Sequence, residues 1–310
     1  MKRLCHIFLS LLSCVSLAGC NTGMNGGSVS DSLDKHDVYL ADMPQDYEFT
    51  DLVSYDNFSK YVAYNAINEA LMNAKFYISF IGNGISISGM AIASVDAKTG
   101  ERIGAYKGEI EGISQVQGMN GKMNTYIRGS RSYSDFNLSL YYADYNTSKR
   151  KTANISGKYY MDIPSSDEKG VGSFFGDNAA ENPEFVNPYF FVETLKEDNG
   201  LIQDSGTSIT KARMDGIDYY RITFASGFYG HLGISESEFT IAMNGKRIYG
   251  LAIKNVYTLQ GSTSKMYSTV HMRPFTGKLT YVPETFDGYN MSYEQYMDYL
   301  SNEIMNLILS

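Results

Sequence analysis

The chain reads as an α+β protein dominated by one long antiparallel sheet of about eleven strands, and three observations lead there. Composition comes first: 26 Tyr and 16 Phe stand beside no Trp and only six Pro, a mix that suits a pleated, half-buried surface. The second is strict alternation, clearest where Phe136, Leu138, Leu140 and Tyr142 interleave with Asn137, Ser139 and Tyr141; a period of two puts the first set on one face of a strand. The third is the regular return of turn signals such as Asp215-Gly216 and Asn244-Gly245 between apolar runs, the dipeptides that close tight hairpins.

Taken in order, the chain opens with Lys2 and Arg3, then an uncharged, largely apolar run from Leu4 to Leu17. Basic residues, an apolar core and small residues make a secretory signal, too short to remain as a membrane-spanning helix. It ends in Leu17-Ala18-Gly19-Cys20, which resembles the lipobox of bacterial lipoproteins. That resemblance implies removal of residues 1–19, diacylglyceryl transfer to the Cys20 thiol, palmitate or similar acyl chains, and a membrane-anchored protein of the cell envelope. Asn21 in place of Asp implies the outer membrane in a diderm; in a monoderm the anchor would lie on the outer face of the cell membrane.

Residues 20–46 are small, polar and rich in Gly and Ser at their start, the composition of a flexible tether. A single domain over 47–310 follows. Phe58, Val62, Ala63, Ile67, Ala70, Leu71 and Ala74 fall on one stripe of a helix over 56–75. Strands are expected over 76–81, 85–95 and 101–116. Met119-Asn120-Gly121 reads as a turn before strands over 122–128, 136–142 and 153–163. The acidic stretch 165–184 reads as a surface loop, and 185–196 as a helix stopped by Asn199-Gly200. Hairpins resume over 207–214 and 217–224, then 238–243 and 246–259, with further strands at 265–275 and 278–282. A last helix covers 292–309: Ser292 and Gln295 have capping-box spacing, and Met297, Leu300, Ile304 and Leu307 form its apolar face.

Cysteine and charge narrow the function. Cys5 and Cys14 belong to the signal, so Cys20 is the sole thiol of the mature chain and no internal disulfide is available. The full sequence carries a net charge of −8, and loss of Lys2 and Arg3 makes the mature chain more acidic still. That balance opposes nucleic-acid binding and electrostatic docking on anionic lipid, leaving the acyl chains as the means of membrane attachment. After the signal, no run of about 18 apolar residues offers a transmembrane helix.

Several strings resemble the LolA-like and LppX/LprG-like lipoproteins. Arg213-Met214-Asp215-Gly216-Ile217-Asp218-Tyr219-Tyr220-Arg221-Ile222 is similar to their recurrent hairpin. Ile241 to Ile248 resembles a second one, closing later at Val282-Pro283-Glu284, and Thr125-Tyr126-Ile127-Arg128-Gly129-Ser130-Arg131-Ser132-Tyr133 is similar to an upstream strand and turn. With the lipobox and the amphipathic first helix, the resemblance covers most of residues 50–288. It implies an eleven-stranded, strongly curved half-barrel with helices on an apolar concave face, and the carriage of lipid or lipoprotein acyl chains. The acidic 165–184 segment and the C-terminal helix depart from the small-carrier pattern.

Chemistry for catalysis is sparse. The mature histidines are His36, His231 and His271, and none has a His or Cys partner at zinc-ligand spacing. Elbow, S-x-x-K and H-E-x-x-H motifs are missing. Asp177, Asn178, Glu181 and Glu184 lack the spacing of a calcium loop and read as a solvated acidic segment. The expectation is a non-enzymatic binder, without cofactor or metal, that holds an apolar ligand such as an acyl chain. Ile67, Leu71, Leu138 and Leu140 are the residues expected to line its cavity, and Ala63, Ala66, Ala70 and Ala74 would let the helix lie close to the sheet. A surface module for glycan or protein, using exposed Tyr, is the second reading; a hydrolase assembled around His231 or His271 is the third.

Overall fold

Alternation translates directly into pairing. In the computed structural model the strands are β1 (Asp51–Leu52), β2 (Asn73–Gly82), β3 (Ile85–Val95), β4 (Arg102–Ile113), β5 (Gln117–Arg128), β6 (Arg131–Asp144), β7 (Lys149–Asp162), β8 (Ser208–Met214), β9 (Ile217–Phe224), β10 (Ile234–Asn244), β11 (Arg247–Thr258), β12 (Lys265–Pro274) and β13 (Met291–Ser292). Among the described residues, helices with defined ends are α1 (Tyr55–Tyr61) and α2 (Tyr293–Leu309). The structure describes residues 38, 40, 43–62, 66–67, 70, 73–82, 84–95, 101–113, 117–144, 149–162, 206–225, 234–258, 265–274, 282–283 and 285–309. Cys20, His36, Ala63, Leu71, the 165–184 loop, the expected helix 185–196, His231 and most of the expected strand 278–282 lie outside them.

The strands form one open sheet in the order β1-β8-β9-β10-β11-β12-β2-β3-β4-β5-β6-β7-β13. Two antiparallel meanders, β2 to β7 and β8 to β12, meet at a seam where β12 pairs antiparallel with β2, His271 opposite Tyr77. β13 alone runs parallel to its neighbour, β7. Eleven of the thirteen strands are long and the two outermost have two residues each, which matches the expected count. Apolar residues from all eleven long strands join a single cluster with Phe58 of α1 and with Tyr296, Leu300 and Leu307 of α2. This defines the inner face of a curved half-barrel.

Gly89 and Gly108 face each other across β3 and β4, and the Tyr106 ring occupies the space beside both. A Cβ on Gly108 would sit 2.2 Å from Tyr106 Cε1, and one on Gly89 2.5 Å from its Cζ. A bare backbone patch lets a neighbouring ring approach the strands closely. The Asp215-Gly216 turn behaves as expected: φ is 50° at Asp215 and 81° at Gly216, the doubly left-handed turn that matches strand twist.

Both chain ends cross the outer face and fold over opposite edges. At the N-terminal side, Leu40 donates its backbone N–H to His271 Nδ1 of β12 at 3.3 Å. Phe49 then packs with Ala212, Tyr219 and Ala242. Its ring lies 3.7 Å from the buried Arg221 guanidinium, which also meets Asp46 at 2.9 Å and Glu238 at 3.4 Å. The chain pairs with β8 as β1, and Ser54 caps α1 on the inside by accepting Asn57 N–H. At the C-terminal side, Val282 joins Ile92 and Ala105 over β3 and β4. Phe286 and Tyr289 then pack on Tyr133 of β6, the chain pairs with β7 as β13, and α2 turns onto the inner faces of β6 and β7.

Three expectations are corrected. Among the described residues, the helix expected over 56–75 is helical over Tyr55–Tyr61 and at residues 66, 67 and 70, while Asn73 to Lys75 already belong to β2. Ala74 pairs on both sides, with Ala93 and Pro274, and a filled central ladder overrides even alanine's strong intrinsic helical propensity. Met119-Asn120-Gly121 is not a turn: β5 runs through it, and Gly121 is needed because a Cβ there would meet Leu138 Cδ2 at 2.5 Å. The stretch read as tether to residue 46 is packed well before its end, with Val38 and Leu40 buried. These two are the apolar residues that Gly/Ser-weighted composition hides.

Candidate ligand-binding site

The inner face is the apolar surface that the half-barrel offers, and strand alternation builds it. On β6, Phe136, Leu138 and Leu140 are buried at 4%, 0% and 5% exposure while Asn137 and Ser139 are exposed. Ile67, from the helical residues after α1, is 1% exposed in the same cluster. Three of the four residues expected to line a cavity therefore share one surface. They act there as well-packed core; Leu71 lies outside the described residues.

Polar groups on this face are few and mostly satisfied by one another. Ser237 Oγ donates to Asn255 Oδ1 at 2.7 Å, Asn255 Nδ2 donates to Tyr257 OH at 3.2 Å, and Tyr257 OH meets Ser268 Oγ at 3.1 Å. Thr125 and Ser134 pair their hydroxyls at 2.6 Å. The exception sits beside α2. Tyr296 stacks on Tyr159 of β7 with ring centres 4.4 Å apart and planes 9° from parallel, and its ring centre lies 4.6 Å from that of Phe136. Its hydroxyl is buried without a hydrogen-bond partner. Burial, then the neighbouring hydroxyls of Tyr159 and Tyr293, push the Tyr296 phenol well above its ordinary range.

Sequence reading missed this cluster because it set the apolar stripe of the last helix on Met297, Leu300, Ile304 and Leu307, without Tyr296. The spacing 296, 300, 304, 307 was the available signal. Tyr296 and Leu300 are the deepest residues of α2, each 1% exposed.

The outer face carries a different feature. An open trough of about 560 Å³ lies across β3 to β6, lined by Ser88, Glu109, Lys122 and Asn137 in one cross-strand row and Ser86, Glu111, Asn120 and Ser139 in the next. Lys122 and Glu109 pair at 2.7 Å and both are exposed. This surface offers hydrogen bonds and little apolar contact. His271 is 2% exposed beneath the N-terminal segment with Nδ1 accepting from Leu40, a packing position. Among the described residues no group of three His, Cys, Asp or Glu is placed to hold a metal ion, and no helix is long and apolar enough to cross a membrane.

No family model and no curated protein matches the chain. Among solved structures it is similar to a DUF1329 family protein from Desulfovibrio piger, at 12% identity over 76% of this chain and 98% of that one, with a TM-score of 0.24. It is also similar to a porin-like protein from Bacteroides uniformis, at 7% identity over 67% of this chain and 97% of that one, with a TM-score of 0.19. Likenesses at these scores carry no argument about activity. Neither protein is described as a LolA-like or LppX/LprG-like carrier, so what stands of that resemblance is the large, curved, open sheet.

Proposed function

We propose that this chain is an exported protein, anchored to a membrane through acyl chains on Cys20, that binds an apolar ligand against the inner face of its half-barrel. The observation that carries this reading is the continuity of the inner face: apolar residues of all eleven long strands form one cluster, joined by Ile67, Leu138 and Leu140 and faced by two helices. A surface of that kind meets an acyl chain through area alone, at about 25 cal/mol for each Å² buried. The arrangement needs neither a metal nor an acid–base pair, so binding without catalysis is the function we assign. Native mass spectrometry of the chain from residue 20 onward, carrying Cys20→Ala, tests the ligand. Co-purified lipid supports the reading; a lipid-free protein that also takes up no added hydrocarbon or acyl ester sinks it. Separately, Cys20→Ser should move the chain to the soluble fraction or leave an uncleaved precursor, and unchanged fractionation and mass would remove the anchor.

A second reading, a surface module for a glycan, is favoured by one feature, the outer trough with its two rows of hydroxyl, amide and carboxylate groups. Glycan binding abolished by Asn120→Ala and Asn137→Ala, with no lipid bound, would replace the first reading with this one.

A further inference from the structure

We infer that the apolar ligand carries one uncharged hydrogen-bond acceptor, the carbonyl of an acyl ester, and that the Tyr296 hydroxyl binds it. This rests on the ligand reading above and adds the chemistry of the ligand's polar end. Other buried polar side chains of the inner face answer one another: Ser237 with Asn255, Tyr257 with Ser268, Thr125 with Ser134. Among the described residues, the other buried polar atoms without a hydrogen-bond partner are on Asp218, Arg221, Glu238, Thr240 and Arg273; alternation places all but Asp218 on the outer face, and Asp218, on the inner side of β9, has its carboxylate met by Lys211 at 3.2 Å. Tyr296 is thus the one described inner-face residue whose hydroxyl is buried and unanswered. An unmade hydrogen bond in an apolar interior is costly, and native structures rarely keep one without a use.

The surroundings set the class of ligand. Tyr293, half-buried at the first residue of α2, has its ring centre 5.8 Å from that of Tyr159 and 6.4 Å from that of Tyr296. Rings surround the Tyr296 hydroxyl, which suits a largely apolar ligand ending in a weak acceptor. Charge then discriminates among acceptors. α2 contributes Glu294, Asp298 and Glu303 and no Lys or Arg, and Arg131, on the outer face of β6, is already paired with Asp162. An ionised carboxylate would be buried beside acidic residues with no cation free to meet it, at high cost. A neutral ester carbonyl meets no such barrier and accepts the phenol proton. Burial keeps that phenol protonated, as the donor role requires.

The test compares three probes on the full mature chain carrying Cys20→Ala: hexadecane, methyl palmitate and palmitate at neutral pH, each displacing a fluorescent apolar dye. The ester should bind more tightly than the hydrocarbon by roughly 2- to 10-fold, the worth of one hydrogen bond, and palmitate should bind weakest. Tyr296→Phe, which removes only the oxygen, should abolish the ester's advantage and leave hexadecane affinity unchanged. Ester preference that survives in Tyr296→Phe, or palmitate binding above the ester, overturns the inference while leaving an apolar site. If neither hexadecane nor the ester binds the parent protein, the ligand reading itself falls and takes this inference with it. A melting curve for Tyr296→Phe equal to or above the parent's establishes that lost binding is not lost folding.

Discussion

Phe286 lies flat on Tyr133, ring centres 3.8 Å apart and planes 2° from parallel. This stack fastens the C-terminal crossing segment to the outer face of β6, with Tyr289 set edge-on to both rings. Phe286→Ala should lower stability by about 2 kcal/mol, less than for a full core position because the ring is half-buried. Urea unfolding measures the loss, and limited proteolysis should cut within 282–290 sooner. An unchanged midpoint would mean that the segment is held elsewhere.

Leu138 is fully buried on β6 while its neighbour Asn137 faces solvent. Leu138→Ala is expected to cost about 2–5 kcal/mol, and Asn137→Ala less than about 0.5 kcal/mol. Similar losses at both positions in chemical denaturation would contradict the register of the strand.

Gly108 has no room for a side chain while Tyr106 lies across it. Gly108→Ala should cost about 1–3 kcal/mol by pushing that ring out of its place. In a Tyr106→Leu background the same change should cost less, since the obstructing ring is gone. A double-mutant cycle reads the coupling directly, and strict additivity would show that the ring and the glycine are independent.

Alkaline behaviour follows from two phenols. Burial raises Tyr289 and Tyr296 above the ordinary 10.0, helped by Asp135 for the first and by Tyr159 and Tyr293 for the second. A folded-state value above the unfolded one means that their stabilising contribution is complete below about pH 10 and is lost as pH rises past it. The denaturation midpoint should fall above pH 10, and less steeply in Tyr296→Phe. Ultraviolet titration at the phenolate band should show that variant lacking one late-ionising group; an identical curve would place Tyr296 in water.

Legibility in the sequence tracked how local the deciding interactions are. The alternation at 136–142 was readable because binary pattern and burial agree residue by residue. The Asp215-Gly216 hairpin was readable because left-handed backbone angles select those residues. The last helix announced its start: Ser292 N–H donates to Gln295 Oε1 at 2.8 Å and Gln295 N–H to Ser292 Oγ at 3.3 Å. Where distant partners decide, the pattern misled. Ala74 looked helical until β3 and β12 claimed it, and Gly121 looked like a turn until Leu138 required its missing side chain. Val38, Leu40 and Phe49 were unreadable as a packed crossing because a segment with no period of its own takes its shape from the face beneath it. Tyr296 was overlooked because its hydroxyl carries the interest and its ring does the packing.

The seam between β12 and β2 has a consequence for biogenesis. Every other contact between long strands joins neighbours in sequence, so each meander zips by short loops, whereas residues 73–82 find 265–274 only after nearly the whole chain is made. A chain emerging from its N-terminus therefore completes β2 to β7 while the outer edge of β2, with Phe76, Ile78 and Phe80 in it, still has no partner. That edge is a template for pairing with any extended chain nearby. The hazard is greatest in the interval between completion of the first meander and arrival of β12, when a holding chaperone would have its most valuable target.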